Sequence, residues 1–247
     1  MTEPTTMLLI AATFLLAGAV KGVIGLGLPA VSLGILTAAL DLPTAMALLI
    51  VPSFVTNAFQ ASVGGHARAI LVRIWPFLLM ASSTVWIGAL ALTKVDLHLL
   101  SGLLGALLIV YAAVNLANVR IVIPAHREAL AGPAFGIANG ILTGMTGSFV
   151  VPGVMFLQAI GLSKDMLIQA MGMLFTASTI ALALALQTNN LFTGTLGLAS
   201  ALALAPALIG MLAGQAIRKR LSEAQFRRVF FTAILILGAY IILKAIA

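Results

Sequence analysis

The sequence has no cysteine and only six carboxylates in 247 residues. The first absence removes disulfides and thiolate chemistry, and says little about redox compartment. The second leaves a net charge of +7 and a charged fraction of 8%, against about a quarter in a soluble domain. Asp41, Asp96 and Asp165 stand at the ends of apolar runs, so no run holds the deep acid on which many proton pumps and cation exchangers rely. His66, His98 and His126 are scattered and lack metal-ligand spacing. There is no P-loop, no GxSxG elbow and no HExxH, so the residues argue for no enzyme, no metal and no cofactor.

What is present is apolar: 62% hydrophobic residues and a mean hydropathy of +1.19. The apolar residues run continuously and do not alternate, which excludes a β-barrel and predicts an all-α polytopic membrane protein. The opening MTEPTT lacks the basic stretch of a secretory signal and is read as mature sequence. Ten apolar segments follow, over 6–21, 24–40, 45–63, 70–92, 97–117, 130–145, 149–162, 166–186, 191–217 and 226–247. They form one transmembrane domain, 1–247, with a first repeat over 1–118, a polar linker over 119–129 and a second repeat over 130–247. The first two segments of each half fall short of the ~20 residues a crossing needs. Each half is therefore expected to begin with a short broken or re-entrant helical hairpin.

The two hairpins resemble each other. Gly18, Lys21 and Gly22 match Gly136, Asn139 and Gly140 at an offset of 118, and Gly25 matches Gly144 at 119. Leu42, Met46 and Thr56 match Leu162, Met166 and Thr176 at 120, and Pro76 and Tyr111 find Pro206 and Tyr240 further on. An ordered set with a slow drift points to internal duplication. Basic residues gather at Arg68 and Arg73, at Arg120 and Arg127, and from Arg218 to Arg228. Placing these loops in the cytoplasm satisfies the positive-inside bias and explains the net charge without nucleic acid. Both termini are then external, and five segments per half make the halves inverted, a plan common among transporters.

Interrupted apolar segments at matching places in two halves point to a substrate site. The first hairpin offers Lys21, Gly25 and Gly27, together with Gly22 and Pro29. The second offers Asn139, Thr143, Thr146, Gly147 and Ser148, with Gly140, Gly144 and Pro152. Asn57 and Gln60, three apart on one helical face, add amides from the third segment. An ammonium, unwound backbone and hydroxyls suit a small oxyanion. The plainer alternatives stand beside this: a snorkelling lysine, glycines that let helices pack closely, and amides that bond neighbouring helices.

The glycine cluster of the second half, followed by a short apolar run and proline (Gly144, Gly147, Ser148, Pro152, Gly161, Met166), resembles the TauE/SafE sulfite-exporter family. So do Gly22, Gly25, Gly27, Leu42 and Met46 of the first half, and the tail LSEAQFRRVF over 221–230. The resemblance implies a permease or exporter of sulfite or an organosulfur or sulfonate anion in a bacterial-type inner membrane. The expected partners are that small anion and the lipid bilayer, not nucleic acid; a homo-oligomer is left open. Two rival classes stand: a carrier of an uncharged or cationic solute, and a non-transporting integral subunit or enzyme.

Overall fold

A computed structural model describes residues 3–119, 121–218 and 222–246. Arg120, Lys219 and Arg220, assigned above to the basic loops, lie outside the described residues, as do Leu221 and Ala247. Among the described residues there are twelve helices and no strand. The first half of the chain forms α1 (Pro4–Ile24), α2 (Leu28–Ala39), α3 (Leu42–Ser62), α4 (Ala67–Ser83), α5 (Val85–Ala89), α6 (Ala91–Lys94) and α7 (Leu97–Leu116). The second forms α8 (Ala125–Thr146), α9 (Gly153–Ala159), α10 (Lys164–Thr188), α11 (Gly194–Arg218) and α12 (Glu223–Ile246).

The fourth apolar segment is thus split into α4, α5 and α6. Thr84, at the first break, turns its hydroxyl onto the Met80 carbonyl at 2.7 Å, a local bond that competes with the helical ladder. Taken together this stretch, with α1, α3, α7, α10, α11 and α12, makes seven helices long and apolar enough to cross a membrane. The expectation that both helices of each hairpin are short is corrected. α1 has 21 residues and α8 has 22; only α2, with 12, and α9, with 7, are short. α1 runs past Lys21 through Gly22, Val23 and Ile24, and α8 begins earlier than its apolar run, in the polar stretch 125–129.

The chain divides into two compact units that are not the two sequence halves. The first gathers Met1–Pro52, Leu97–Asn118 and Thr193–Ala247; the second gathers Ser53–Asp96 and Val119–Phe192. Helix α3 runs from one to the other across Pro52. That proline has no N–H to offer the Leu48 carbonyl. Within the first unit Ser200 of α11 substitutes, donating to Leu48 O at 2.8 Å while accepting from Val51 N at 3.0 Å.

In the first unit α1 packs along α11. A Cβ on Gly18 or Gly22 would overlap the carbonyl of Ala207 or Met211, and one on Gly210 or Gly214 would overlap Leu15 or Ala19. Small residues let two backbones approach this closely where water supplies no hydrophobic drive. α7 meets α12 through Gly105 and Gly238 in the same manner, and Tyr111 lies edge-on to Phe231 at 5.1 Å.

In the second unit α8 packs along α4 and α5. A Cβ on Gly140 would overlap Thr84 and crowd the Ala81 carbonyl; one on Gly144 would overlap Val85; one on Gly88 would overlap Ile141. This interface matches that of α1 with α11 contact for contact. Gly22 meets Met211 and Gly214 as Gly144 meets Val85 and Gly88, and Gly214 meets Ala19 as Gly88 meets Ile141. Where Gly210 meets Leu15, Thr84 stands instead and its hydroxyl lies 3.2 Å from the Ile137 carbonyl.

Candidate functional site

The first hairpin belongs to the first unit. α1 ends on Gly25, which is left-handed at φ 77° and returns its N–H to the Lys21 carbonyl at 2.7 Å. Gly27, at φ 105°, then starts α2, with Pro29 in its first turn. Nothing stands within 4 Å of a Cβ at Gly25, whereas Gly27 is pressed by Val20 and the Phe230 ring. Lys21 lies in the last turn of α1 and is only 5% exposed. Snorkelling requires an ammonium that reaches water, so this burial speaks against the interfacial alternative.

The second hairpin belongs to the second unit and ends the same way. Gly147, at φ 72°, closes α8 with its N–H on the Thr143 carbonyl at 2.7 Å. Thr143 donates to the Ser148 carbonyl at 3.1 Å, and Thr146 donates to the Leu142 carbonyl at 2.7 Å while accepting from Ser148 N at 3.3 Å. Thr143, Thr146, Gly147 and Ser148 therefore build one rigid turn. Asn139, one helical turn before Thr143, reaches across to α9: its Oδ1 accepts from Gly153 N at 2.9 Å. Among the described residues its Nδ2, which is buried, has no hydrogen-bond partner, and neither does the buried Ser178 Oγ on α10. Buried donors are nearly always satisfied, so such an atom calls for an explanation.

These caps revise two readings. Gly22, Gly140 and Gly144, counted above among the break residues, lie inside unbroken helix and serve packing; the breaks are at Gly25, Gly27 and Gly147. Cap geometry also places Thr143, not Asn139, at the position of Lys21, and Gly147, not Gly144, at that of Gly25.

Asn57 and Gln60 are both in the second unit but do different things. Asn57 donates to Ser53 Oγ at 2.9 Å, and Ser53 lies 3.2 Å from Thr179 Oγ1, which donates to the Phe175 carbonyl at 2.6 Å. The carbonyl only accepts, so the chain is directed from the Asn57 amide through Ser53 to Thr179. Asn57, Ser53 and Thr179 are all buried. The Phe175 ring packs against Phe149, the neighbour of Ser148, with centroids 5.8 Å apart. Gln60 sits at the end of α3 and bonds the Ile168 carbonyl at 2.8 Å, while Gln169 returns a bond to the Ala61 carbonyl at 2.8 Å. Gln60 is thus a strut between α3 and α10. Sequence reasoning missed Ser53 and Thr179. Ser53 stands four residues before Asn57 and shares its helical face, which was the available signal. Nothing in the apolar run of α10 marks Thr179.

The family model for the sulfite exporter TauE/SafE matches residues 10–241. The chain belongs to this family. Among curated proteins and among solved structures, none matches the chain. The TauE/SafE match spans both hairpins and both units. It identifies a multi-pass membrane protein of a transporter family, in agreement with the seven apolar helices.

Proposed function

We propose that this TauE/SafE protein exports a small oxyanion, sulfite or an organosulfur or sulfonate anion, by alternating access around its paired helix breaks. The unpartnered Asn139 Nδ2 carries the reading. It is a donor at a residue with no exposure, beside a turn whose hydroxyls are bound to backbone. A donor held without an acceptor costs about 1–3 kcal/mol. An oxyanion oxygen relieves that cost; a cation does not. In the first hairpin the buried Lys21 supplies positive charge beside its own break. Within the second unit, Ser148 and the left-handed Gly147 stand on the turn that follows Asn139.

The matched packing supports two inverted halves. Gly22 and Gly25 correspond to Gly144 and Gly147 at one constant offset of 122 residues. The first helix of each half packs on the fourth of the other, as a two-fold exchange requires. With the basic loops cytoplasmic, the two hairpins open to opposite sides and both termini are external.

The test is flux in proteoliposomes under an imposed potential, with sulfite, sulfoacetate, thiosulfate, sulfate and chloride offered in parallel. Saturable movement of a sulfur anion, lost in Lys21→Met with folding retained, is the expected result. Unchanged flux in that variant removes Lys21 from the site. No anion flux in folded protein transfers the proposal to an uncharged or cationic solute.

A further inference from the structure

One opening in the first unit lies far in sequence from either hairpin turn. It is a cavity of about 580 Å³ between the end of α7 and the start of α12. Asn115, Asn118, Gln225, Arg227, Arg228 and Phe231 line it. The Arg227 guanidinium lies 5.8 Å from the centre of the Phe231 ring. That ring is itself braced edge-on by Tyr111, which is buried. The cation therefore rests on a fixed aromatic platform. Asn115 is held by its bond to the Tyr111 carbonyl at 2.8 Å, and Asn118 is held in the left-handed region at φ 51°. Both arginines remain exposed at the mouth.

A planar guanidinium pair with amides around it matches the geometry of a phosphate group, which it can bind in bidentate fashion. The first turn of α12 adds a positive helix end. The cavity also belongs to the basic loops that the charge bias assigns to the cytoplasmic face, where anionic headgroups concentrate. We propose that this α7–α12 cavity binds a phosphate-bearing anion, supplied either by an anionic phospholipid headgroup or by a soluble phosphate ester. The site is separate from the transported anion, and failure of the flux experiment leaves it standing.

The full chain, purified and delipidated in detergent, is titrated in a thermal unfolding assay. One arm uses micelles containing phosphatidylglycerol, a second uses phosphatidylcholine, and a third uses soluble glycerol 3-phosphate. Saturable stabilisation is expected with phosphatidylglycerol or with glycerol 3-phosphate, and whichever acts identifies the source. R227Q/R228Q is expected to raise the half-saturating concentration about tenfold. Arg68→Gln, in the first turn of α4 and outside the cavity, is expected to leave it unchanged. Where the double variant fails to fold, Gln225→Glu keeps both arginines and puts a carboxylate among them, with the same loss expected. Equal stabilisation by phosphatidylcholine, no stabilisation in any arm, or the same half-saturation in every variant overturns the proposal.

Discussion

Asn139 uses its two ends differently, and substitution can separate them. Its oxygen accepts from Gly153 N at 2.9 Å and its nitrogen has no partner among the described residues. Asn139→Leu removes both: it strands the Gly153 N–H at about 1–3 kcal/mol and removes the orphan nitrogen with its similar cost, so unfolding in detergent should show little net change. Asn139→Asp retains the acceptor and removes the donor. It is expected to keep the folded yield and abolish sulfur-anion flux; flux at the native level would leave the orphan nitrogen without a role. Glu128 carries a different kind of prediction. The hydrogen bond from Arg73, at 2.7 Å to its carboxylate, holds its pKa below the usual carboxyl range. A lowered folded pKa means stabilisation that is present above the unfolded value, about 4.3, and is lost as pH falls through the folded value. Because Arg73 is 36% exposed, the pair is worth under about 1 kcal/mol. Glu128→Gln should lower the melting temperature slightly at neutral pH, and the difference from the native chain should vanish in acid. A difference that persists there would assign the effect to packing.

Helix ends and helix contacts use the same residue type in this protein, and the two uses resist a methyl group for different reasons. At Gly144 an added Cβ overlaps the Val85 backbone, so Gly144→Ala forces α8 away from α5 at a cost of about 1–3 kcal/mol. At Gly25 there is open space, and only the left-handed backbone resists, by about 1–2 kcal/mol for alanine. Asparagine tolerates that conformation, so Gly25→Asn should recover most of the loss while Gly144→Asn should lose more. Thermal unfolding of the four variants tests both statements. The same duality limited what could be read from sequence. Gly22 and Gly25 are equivalent as letters; α11 makes one a packing residue, and the absence of any neighbour leaves the other free to end the helix. Register suffered likewise. Gly136, Gly140 and Gly144 repeat at one-turn spacing, so matching Gly18 and Gly22 a turn early costs nothing in sequence and misplaces Lys21 opposite Asn139. Pro76 and Pro206 were paired by the same error, since the packing sets Pro206 against Met80. The existence of hairpins, their proline-led second helices and the apolar span pattern were legible, because composition and length alone determine them.

Two compact units that each draw on both sequence halves are what an exchange of helices between repeats produces. α1 is claimed by α11 and α8 by α4 and α5, so neither half contains the partner that its first helix needs. A half expressed alone would expose the glycine stripe of its first helix to lipid, where it gains no packing. The proposed inverted arrangement makes a sidedness prediction that the composition is well suited to test. The chain has no cysteine, so any cysteine introduced is unique. Thr93 lies in α6, just before the turn to α7, while His66 lies on one basic loop and His126 in the first turn of α8 beside another, and all three are exposed. With basic loops cytoplasmic, a membrane-impermeant maleimide applied to intact cells should label Thr93→Cys and leave His66→Cys and His126→Cys unlabelled until the cells are opened. The reverse pattern would invert the whole topology and with it the direction in which each hairpin opens. Labelling of His66→Cys and not His126→Cys would mean an even number of crossings between repeats and would end the inverted reading.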